Sequence, residues 1–465
     1  MFTIDFSKPC RVYFIGIGGI SMSGLAEILM KEGFQVSGSD MRVSDLTKLL
    51  ESEGARIHYQ QVADNIKKEE IDLVVFTAAI HEDHPELKKV RDLGIPCLTR
   101  ADLLGQIMLH YKNAIAIAGT HGKTTTTSMV SSMLLEADMD PTITVGGILE
   151  SIHGNFRLGD SDNFVMEACE YTNSFLSFNP TIAAVLNVEE DHLDFFKDIN
   201  DIRHSFRLFM EKLPAHGLLV INQEIDRYQE LTEGLACRIL TFGMEGSGAD
   251  YTACGLTWGD NACGSFTVCK KTEEGYQELT RIHMDVPGIH NVKNALAACA
   301  IADEMGVSPA VMAGAMEHFG NAKRRFEYKG TTEGGVKIVD DYAHHPQEIS
   351  ATLNTAGQMK AGKVWCVFQS HTYTRTKALL EDFSKSLSAA DEVLLAPIYA
   401  ARETDTLGVS HHDIARGIEA LGTPVKCFDS FAEIEDFIRA NCKDGDLVIT
   451  MGAGDIYLVG EDLLK

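Results

Sequence analysis

The sequence predicts an α/β protein of three domains: a Rossmann-like first domain, a central P-loop domain and a Rossmann-like C-terminal domain. Three observations predict it. Residues 113–118 are an apolar strand-like run and residues 125–137 a helix-like run, and Gly119-Thr120-His121-Gly122-Lys123-Thr124 lies between them, where a phosphate-binding loop belongs. Near the N-terminus, the strand-like run 11–15 leads directly into Gly16-Ile17-Gly18-Gly19-Ile20-Ser21-Met22-Ser23-Gly24. From residue 323 onward, strand-like and helix-like runs alternate again. A chain of 465 residues exceeds one ordinary core and fits about three domains, placed at 1–106, 107–322 and 323–465.

Composition narrows the class. With 45% hydrophobic and 23% charged residues the chain is globular rather than disordered. Its net charge of -26 argues against nucleic acid or an anionic membrane as partner, because both demand a cationic face. Residues 1–10 lack a basic segment followed by an apolar core, and no apolar run reaches membrane-spanning length, so a cytoplasmic protein without membrane insertion is expected. Eleven cysteines without a Cys-x-x-Cys pair fit reduced, mostly buried thiols.

In the first domain, the strand 11–15 and the glycine-rich turn precede a helix carrying Leu25, Ile28 and Leu29 on one face. A second strand, 34–38, ends at Asp40, about where a dinucleotide fold places its ribose-binding acid. Read alone, this segment suggests NAD. The fingerprint is imperfect: Ser21 stands where the third glycine is expected, and the extra Gly19 widens the turn. Residues 73–76 and 95–98 read as further strands of the same sheet.

The second domain opens on the P-loop. Its two glycines let backbone N–H groups approach phosphate oxygens, the following helix presents its positive end, Lys123 adds a charge and Thr124 a hydroxyl for Mg²⁺. Val130, Met133, Leu134 and Ala137 recur at helical spacing behind it. Two residues rather than four separate the glycines, which argues against ordinary kinases and GTPases. Between 251 and 287 the pattern shifts: runs 265–269 and 281–286 flank Glu273-Glu274-Gly275 and read as antiparallel strands, with Cys254, Cys263 and Cys269 as packing residues. The third domain shows strands at 364–368, 392–396 and 447–450, a helix at 377–387, and Gly452-Ala453-Gly454 after the last strand.

Several constellations could carry chemistry. Glu167 and Glu170 follow the run 164–166, and Asp191-His192 follows 183–188; acids and an imidazole at strand C-termini point into a ligand crevice. One glutamate with Thr124 would suffice for Mg²⁺, and His192 is available for a second ion. The same residues also read as solvated loop acids and a helix cap. Gly288-Ile289-His290-Asn291-Val292-Lys293-Asn294 joins a turn to an alanine-rich helix, where amides could pair with adenine or simply cap a core helix. Lys323-Arg324-Arg325 is a basic cluster in an acidic chain, suited to a phosphate. Asp340-Asp341-Tyr342-Ala343-His344-His345 ends the strand 336–339, and His371-Thr372-Tyr373-Thr374-Arg375 follows another, where an arginine could fork onto a carboxylate.

Taken together and in order, these segments resemble the Mur ligases, ATP-dependent enzymes that join amino acids to a UDP-sugar acid in peptidoglycan precursor synthesis. The resemblance covers the glycine-rich turn with Ser37-Gly38-Ser39-Asp40, the short P-loop, the Asn-x-x-x-Asp-His segment at 187–192, the Gly-x-His-Asn-x-x-Asn-Ala-Leu-Ala-Ala run at 288–298, Arg324-Arg325-Phe326-Glu327, the segments 341–346 and 371–376, and Gly452-Ala453-Gly454-Asp455-Ile456. It implies UDP bound at Gly16, Gly18, Gly19, Ile20, Ser21 and Asp40. It implies ATP between the second and third domains, at Gly119, Thr120, His121, Gly122, Lys123, Thr124 and Thr125, with His290, Asn291 and Asn294 around adenine and Arg325 and Asp341 reaching the nucleotide. Thr124, Glu170 and His192 would hold Mg²⁺. Lys123, His344 and Arg375 would be the catalytic groups, with His371 and Arg375 lining the amino-acid pocket. The substrates implied are UDP-N-acetylmuramate and L-alanine, joined through an acyl phosphate, in a monomer or homodimer.

The chain departs from the family pattern at Ser21, at Ser370 and Thr372, where many members have proline and arginine, and at Tyr171-Thr172-Asn173, where the segment is usually richer in aspartate; Glu167 therefore stays a rival ligand. Members adding later residues carry a modified lysine about fifteen residues past the histidine of Asp-His; Arg207 stands here, as in the alanine-adding branch. Three rival readings compete. A ligase attaching a preformed peptide to the same sugar acid is the nearest, followed by a non-catalytic nucleotide-dependent binding protein and an NAD-dependent oxidoreductase.

Overall fold

A computed structural model describes residues 2–77, 80–193, 195–259, 262–317, 319–320, 323–401 and 403–465. The chain divides into two compact units, the first comprising residues 1–252, 270–275 and 296–312, the second residues 253–269, 276–295 and 313–465.

The first unit begins with β1 (Arg11–Ile15), β2 (Gln35–Ser39), β3 (Arg56–His58), β4 (Leu73–Phe76) and β5 (Cys97–Thr99), a parallel sheet in the order β3-β2-β1-β4-β5. Order reverses beside β1, so the crevice at its C-terminal end is the topological switch point where such sheets take ligands. Side chains alternate between the two faces. Val12 and Phe14 enter one core and Tyr13 and Ile15 another, as two-sided burial of a parallel sheet requires. The strand expected at 95–98 starts two residues later, just past Pro96, which has no N–H to donate.

A second sheet follows in the same unit: β6 (Asn113–Ala118), β7 (Thr142–Leu149), β8 (Gly154–Arg157), β9 (Asn163–Ala168), β10 (Ile182–Val185), β11 (Leu218–Asn222) and β12 (Arg238–Met244), in the order β12-β11-β10-β6-β9-β7-β8. Only the β7–β8 pair is antiparallel among the pairings described for these strands. One continuous apolar core runs from Val12 and Leu29 through Ile107 to Phe164, Phe206 and Phe209. Both sheets of the first unit share that core, and residues 106 and 107 lie within the helix Arg100–Met108. The boundary expected at residue 322 lies outside the described residues.

β13 (Tyr251–Trp258) leads into β14 (Cys263–Thr272) and β15 (Gly275–Pro287). The three neighbour one another in that order, and the two-residue β14–β15 connection makes that pair an antiparallel hairpin. The C-terminal sheet of the second unit holds β16 (Glu327–Thr331), β17 (Lys337–Asp341), β18 (Val364–Phe368), β19 (Glu392–Leu395), β20 (Val425–Cys427) and β21 (Leu447–Met451), in the order β16-β17-β21-β18-β19-β20. Only β16 is antiparallel to its neighbour. Cys366, Phe368, Leu447 and Ile449 pack on one face, Trp365, Val367 and Val448 on the other, so helices cover both sides. The helix expected at 377–387 is two, Tyr373–Ala378 and Leu380–Leu387, because Leu379 leaves helical geometry at φ -112 and ψ 22.

Candidate functional site

In the first unit, β6 delivers the chain into the loop at Gly119, and the helix Lys123–Glu136 leaves it. Gly119 and Gly122 sit at φ +152 and +82, conformations that side-chain-bearing residues rarely adopt, so both glycines are needed for the turn. The loop is braced from the segment after β10: Asn187 accepts from His121 N through Oδ1 at 2.7 Å and donates through Nδ2 to His121 O at 3.0 Å, while Glu189 N donates to Thr120 Oγ1 at 2.9 Å. Thr124 and Thr125 lie buried in the first helical turn.

Lys123 folds back over the loop. Its Nζ donates to Gly119 O at 2.6 Å, Thr120 O at 3.0 Å and Glu170 Oε2 at 2.9 Å. Burial works to lower its pKa, but Glu170 and neighbouring acidic groups prevail and hold the ammonium above its ordinary value. Glu170, Asp191 and His192 each bring a ligand atom within 4.8 Å of the others. His192 adopts φ +52, and its ring stacks on Tyr171 with centroids 4.5 Å apart. Carboxylate oxygens and one imidazole beside a phosphate-binding loop suit a hard divalent ion that keeps phosphate and water ligands, so the residues fit Mg²⁺. The two glutamates are placed differently. Glu167 lies in β9 and accepts from Gly146 N at 2.6 Å, whereas Glu170 joins the ligand cluster.

At the first sheet, Gly16 turns at φ +82, Gly16 N and Ile17 N both donate to Ser39 O, and Gly19 caps the helix Ile20–Lys31. Ile20 is exposed at the mouth of this turn. Asp40 holds the turn itself, accepting from Gly18 N at 2.9 Å. A Cβ at Gly18 would lie 2.8 Å from the Asp40 carboxylate and 2.7 Å from Thr47, so glycine is required for that approach. Ser21, the departure from the family pattern, accepts from Arg100 Nη1 at 2.9 Å. Burial pushes the Arg100 guanidinium below its ordinary pKa. Arg100 was not among the residues expected here; no short motif marks it, because it reaches the turn from the start of a helix 79 residues away.

In the second unit, Gly288 turns at φ +97 into the helix Ile289–Glu304. A Cβ there would meet the His290 ring at 2.6 Å and Thr355 at 2.7 Å. Asn291 Nδ2 donates to Pro287 O at 2.7 Å, and Asn294 Nδ2 to Asn291 Oδ1 at 3.2 Å, so these amides brace the turn on which His290 stands.

Arg324 and Arg325 separate in role. Arg324 is locked by Asp340 at 2.8 Å and by the carbonyls of Gly452 and Gly454 at 2.6 and 3.0 Å. Arg325 lies over the Tyr342 ring at 5.5 Å and acts electrostatically on Asp341. Asp341 accepts from Phe326 N at 2.9 Å and Ala343 N at 2.7 Å; burial raises its pKa to about 6 against the opposing pull of Arg325. His344 is held by Tyr342 O at 3.1 Å and Glu348 at 3.3 Å. Burial lowers its pKa; Glu348 opposes this and Arg375 adds to it. The His344 and His371 rings lie 6.3 Å apart, and His371 stacks on Tyr399 at 5.7 Å. Burial and Arg375 both lower the His371 pKa, opposed by Glu403. Thr372, at φ +65, caps the helix that carries Arg375, and Ser370 bonds Thr376 at 2.6 Å; both departures serve as local braces.

The chain matches three domains of known type. The Mur ligase family catalytic domain matches residues 11–112, the Mur ligase middle domain 117–302, and the Mur ligase glutamate ligase domain 324–454. It is 55% identical over 465 residues to the UDP-N-acetylmuramate--L-alanine ligases of Lachnospira eligens and Agathobacter rectalis, covering all of both chains in each comparison. Among solved structures, the UDP-N-acetylmuramate-alanine ligase of Thermotoga maritima is similar with a TM-score of 0.76 and 29% identity, over 97% of this chain and 98% of that one. A murein peptide ligase from Psychrobacter arcticus is similar with a TM-score of 0.67 and 25% identity, over 98% of both.

Proposed function

The chain belongs to the Mur ligase family, and from that premise we infer that it is an ATP-dependent ligase joining L-alanine to the lactyl carboxylate of UDP-N-acetylmuramate in peptidoglycan precursor synthesis. The full-length 55% identity to ligases of that name supports the substrate pair. No helix among the described residues is long and apolar enough to cross a membrane, and a cytoplasmic site of action fits substrates drawn from nucleotide pools. In this reading the functional domains are 1–106, 107–322 and 323–465.

The observation that carries the mechanism is the Lys123 ammonium, held by two loop carbonyls and Glu170 at the mouth of the phosphate loop. A carboxylate is a poor electrophile because its charge repels an incoming amine. In the proposed first step the lactyl carboxylate attacks the γ-phosphorus of ATP; the bond to ADP breaks and an acyl phosphate forms. Lys123 and the N–H groups of residues 119–125 neutralise charge as it moves to the leaving oxygen. Thr124, Glu170, Asp191 and His192 would hold Mg²⁺, which when bound neutralises phosphate charge. The alanine amine then attacks the acyl carbon, and inorganic phosphate leaves. Arg375 pairs with the alanine carboxylate, His371 lines the same pocket, and His344 contacts the phosphate being transferred. His290, Asn291, Asn294, Arg325 and Asp341 bind the nucleotide, while the turn at Gly16, Gly18, Gly19, Ile20, Ser21 and Asp40 takes the UDP, with Arg100 beside its diphosphate.

The test is phosphate release from ATP across a panel of acceptors. Release should require UDP-N-acetylmuramate and L-alanine together. Turnover with a preformed wall peptide but not with L-alanine would replace this reading by the peptide-ligase one, and release independent of the sugar acid would overturn both.

A further inference from the structure

The second unit carries a group of metal-ligating side chains that the ligase chemistry leaves unused. His411 and His412 open the helix His411–Ala420, and Cys427 ends β20, the edge strand of the C-terminal sheet. A ring nitrogen of each histidine and Cys427 Sγ all lie within 4.8 Å of one another. The two rings lie with centroids 4.3 Å apart and planes tilted by 31°. His411 is only 8% exposed, and its Nε2 is buried without a hydrogen-bond partner. An imidazole nitrogen in that state is costly unless something coordinates it. Beside the group a cleft of about 560 Å³ opens, lined by Ser410, His412, Arg416, Glu419 and Cys427.

We propose that His411, His412 and Cys427 form a binding site for a zinc ion, separate from the phosphate loop, with water or a neighbouring carboxylate completing the tetrahedron. Two imidazoles and one sulfur select a borderline-soft cation over Mg²⁺ or Ca²⁺, which demand oxygen. Zinc–nitrogen and zinc–sulfur bonds place ligand atoms about 3.5 Å apart, so closing on the ion asks for about 1 Å of side-chain movement.

The electrostatics agree with this geometry. Burial, with Glu419 and Asp429, raises the Cys427 thiol to about 11, while burial and His412 lower the His411 pKa, opposed by Asp429. The carboxylates that disfavour a bare thiolate attract a cation. The one guanidinium lining the cleft, Arg416, is paired with Asp413. On binding, the Cys427 S–H bond breaks, an S–Zn bond forms and the thiol proton leaves to water. The ion would tie the start of the helix to the edge strand that follows it, and so stabilise this part of the unit by an amount that grows with the logarithm of the free ion concentration.

The experiment uses the full chain, stripped of metal, in excess Mg²⁺, titrated with Co²⁺ and then Zn²⁺. Expected are a thiolate-to-cobalt charge-transfer band saturating at one ion per chain, its bleaching by Zn²⁺, and a zinc-dependent rise in melting temperature. Cys427→Ser should lose both signals while keeping ligase turnover, which shows that it is folded. Cys169→Ser controls for the thiol beside the phosphate loop and should keep the band. No thiolate band in the parent chain, a band that survives Cys427→Ser, or one that vanishes in Cys169→Ser would each overturn the assignment.

Discussion

Lys123→Ala is expected to do two separable things. The first is structural. The Glu170 side chain is 3% exposed and its Oε2 lies 2.9 Å from the Lys123 ammonium. Removing the lysine strands that carboxylate, and breaking one side of a buried pair costs about 3–5 kcal/mol. The Lys123 side chain is 15% exposed, so water can follow into the gap, which favours the lower end, about 3 kcal/mol. For a folding unit of this size that is roughly a 6–12 °C fall in melting midpoint. The second effect is catalytic. Losing one preorganised charge-stabilising group costs roughly 100- to 1,000-fold in turnover.

Differential scanning calorimetry and a phosphate-release assay separate the two effects through a companion variant, Lys123→Ala with Glu170→Gln. Removing the orphaned charge should restore most of the melting temperature and none of the turnover. Near-normal turnover in Lys123→Ala, or a double variant that melts no higher than the single one, would refute the reasoning.

Three further predictions follow from the second unit and the glycine-rich turn. Asp341 has its pKa raised to about 6, so stability is full below the ordinary aspartate range and is lost as pH rises from about 4 through 6; relative to the parent, Asp341→Asn should gain about 2–3 kcal/mol between pH 4 and 7 in denaturant titrations, and a pH-independent difference would contradict the shift. Arg375→Ala should raise the KM for L-alanine more than it lowers kcat; an unchanged KM removes Arg375 from that pocket. Arg100→Ala should raise the KM for the UDP-sugar with little change for ATP, and equal effects on both would make Arg100 a general brace.

The P-loop was legible because all its parts lie within residues 113–136 and each has a local reason: an apolar strand, glycines at positive φ, a helix at once behind. β4, β6 and β18 fall at the residues expected, since two-sided burial leaves an unbroken apolar run. Sites assembled across sequence distance were not legible from the residues alone. The choice between Glu167 and Glu170 rests on where β9 ends, the bracing role of Asn291 on the turn it caps, and the place of Arg100 on packing between segments far apart.

The amino-acid sequence alone determined the α/β class, the phosphate loop and the family, because these rest on local periodicity and on motifs whose chemistry needs neighbouring residues. Only the tertiary structure decided that the first two sheets share one core, that Arg324 is a tie while Arg325 stands beside Asp341, and that two histidines meet a cysteine at the sheet edge. Those outcomes depend on distances between groups remote in the chain, which loop closure and side-chain packing set and no short stretch of residues encodes.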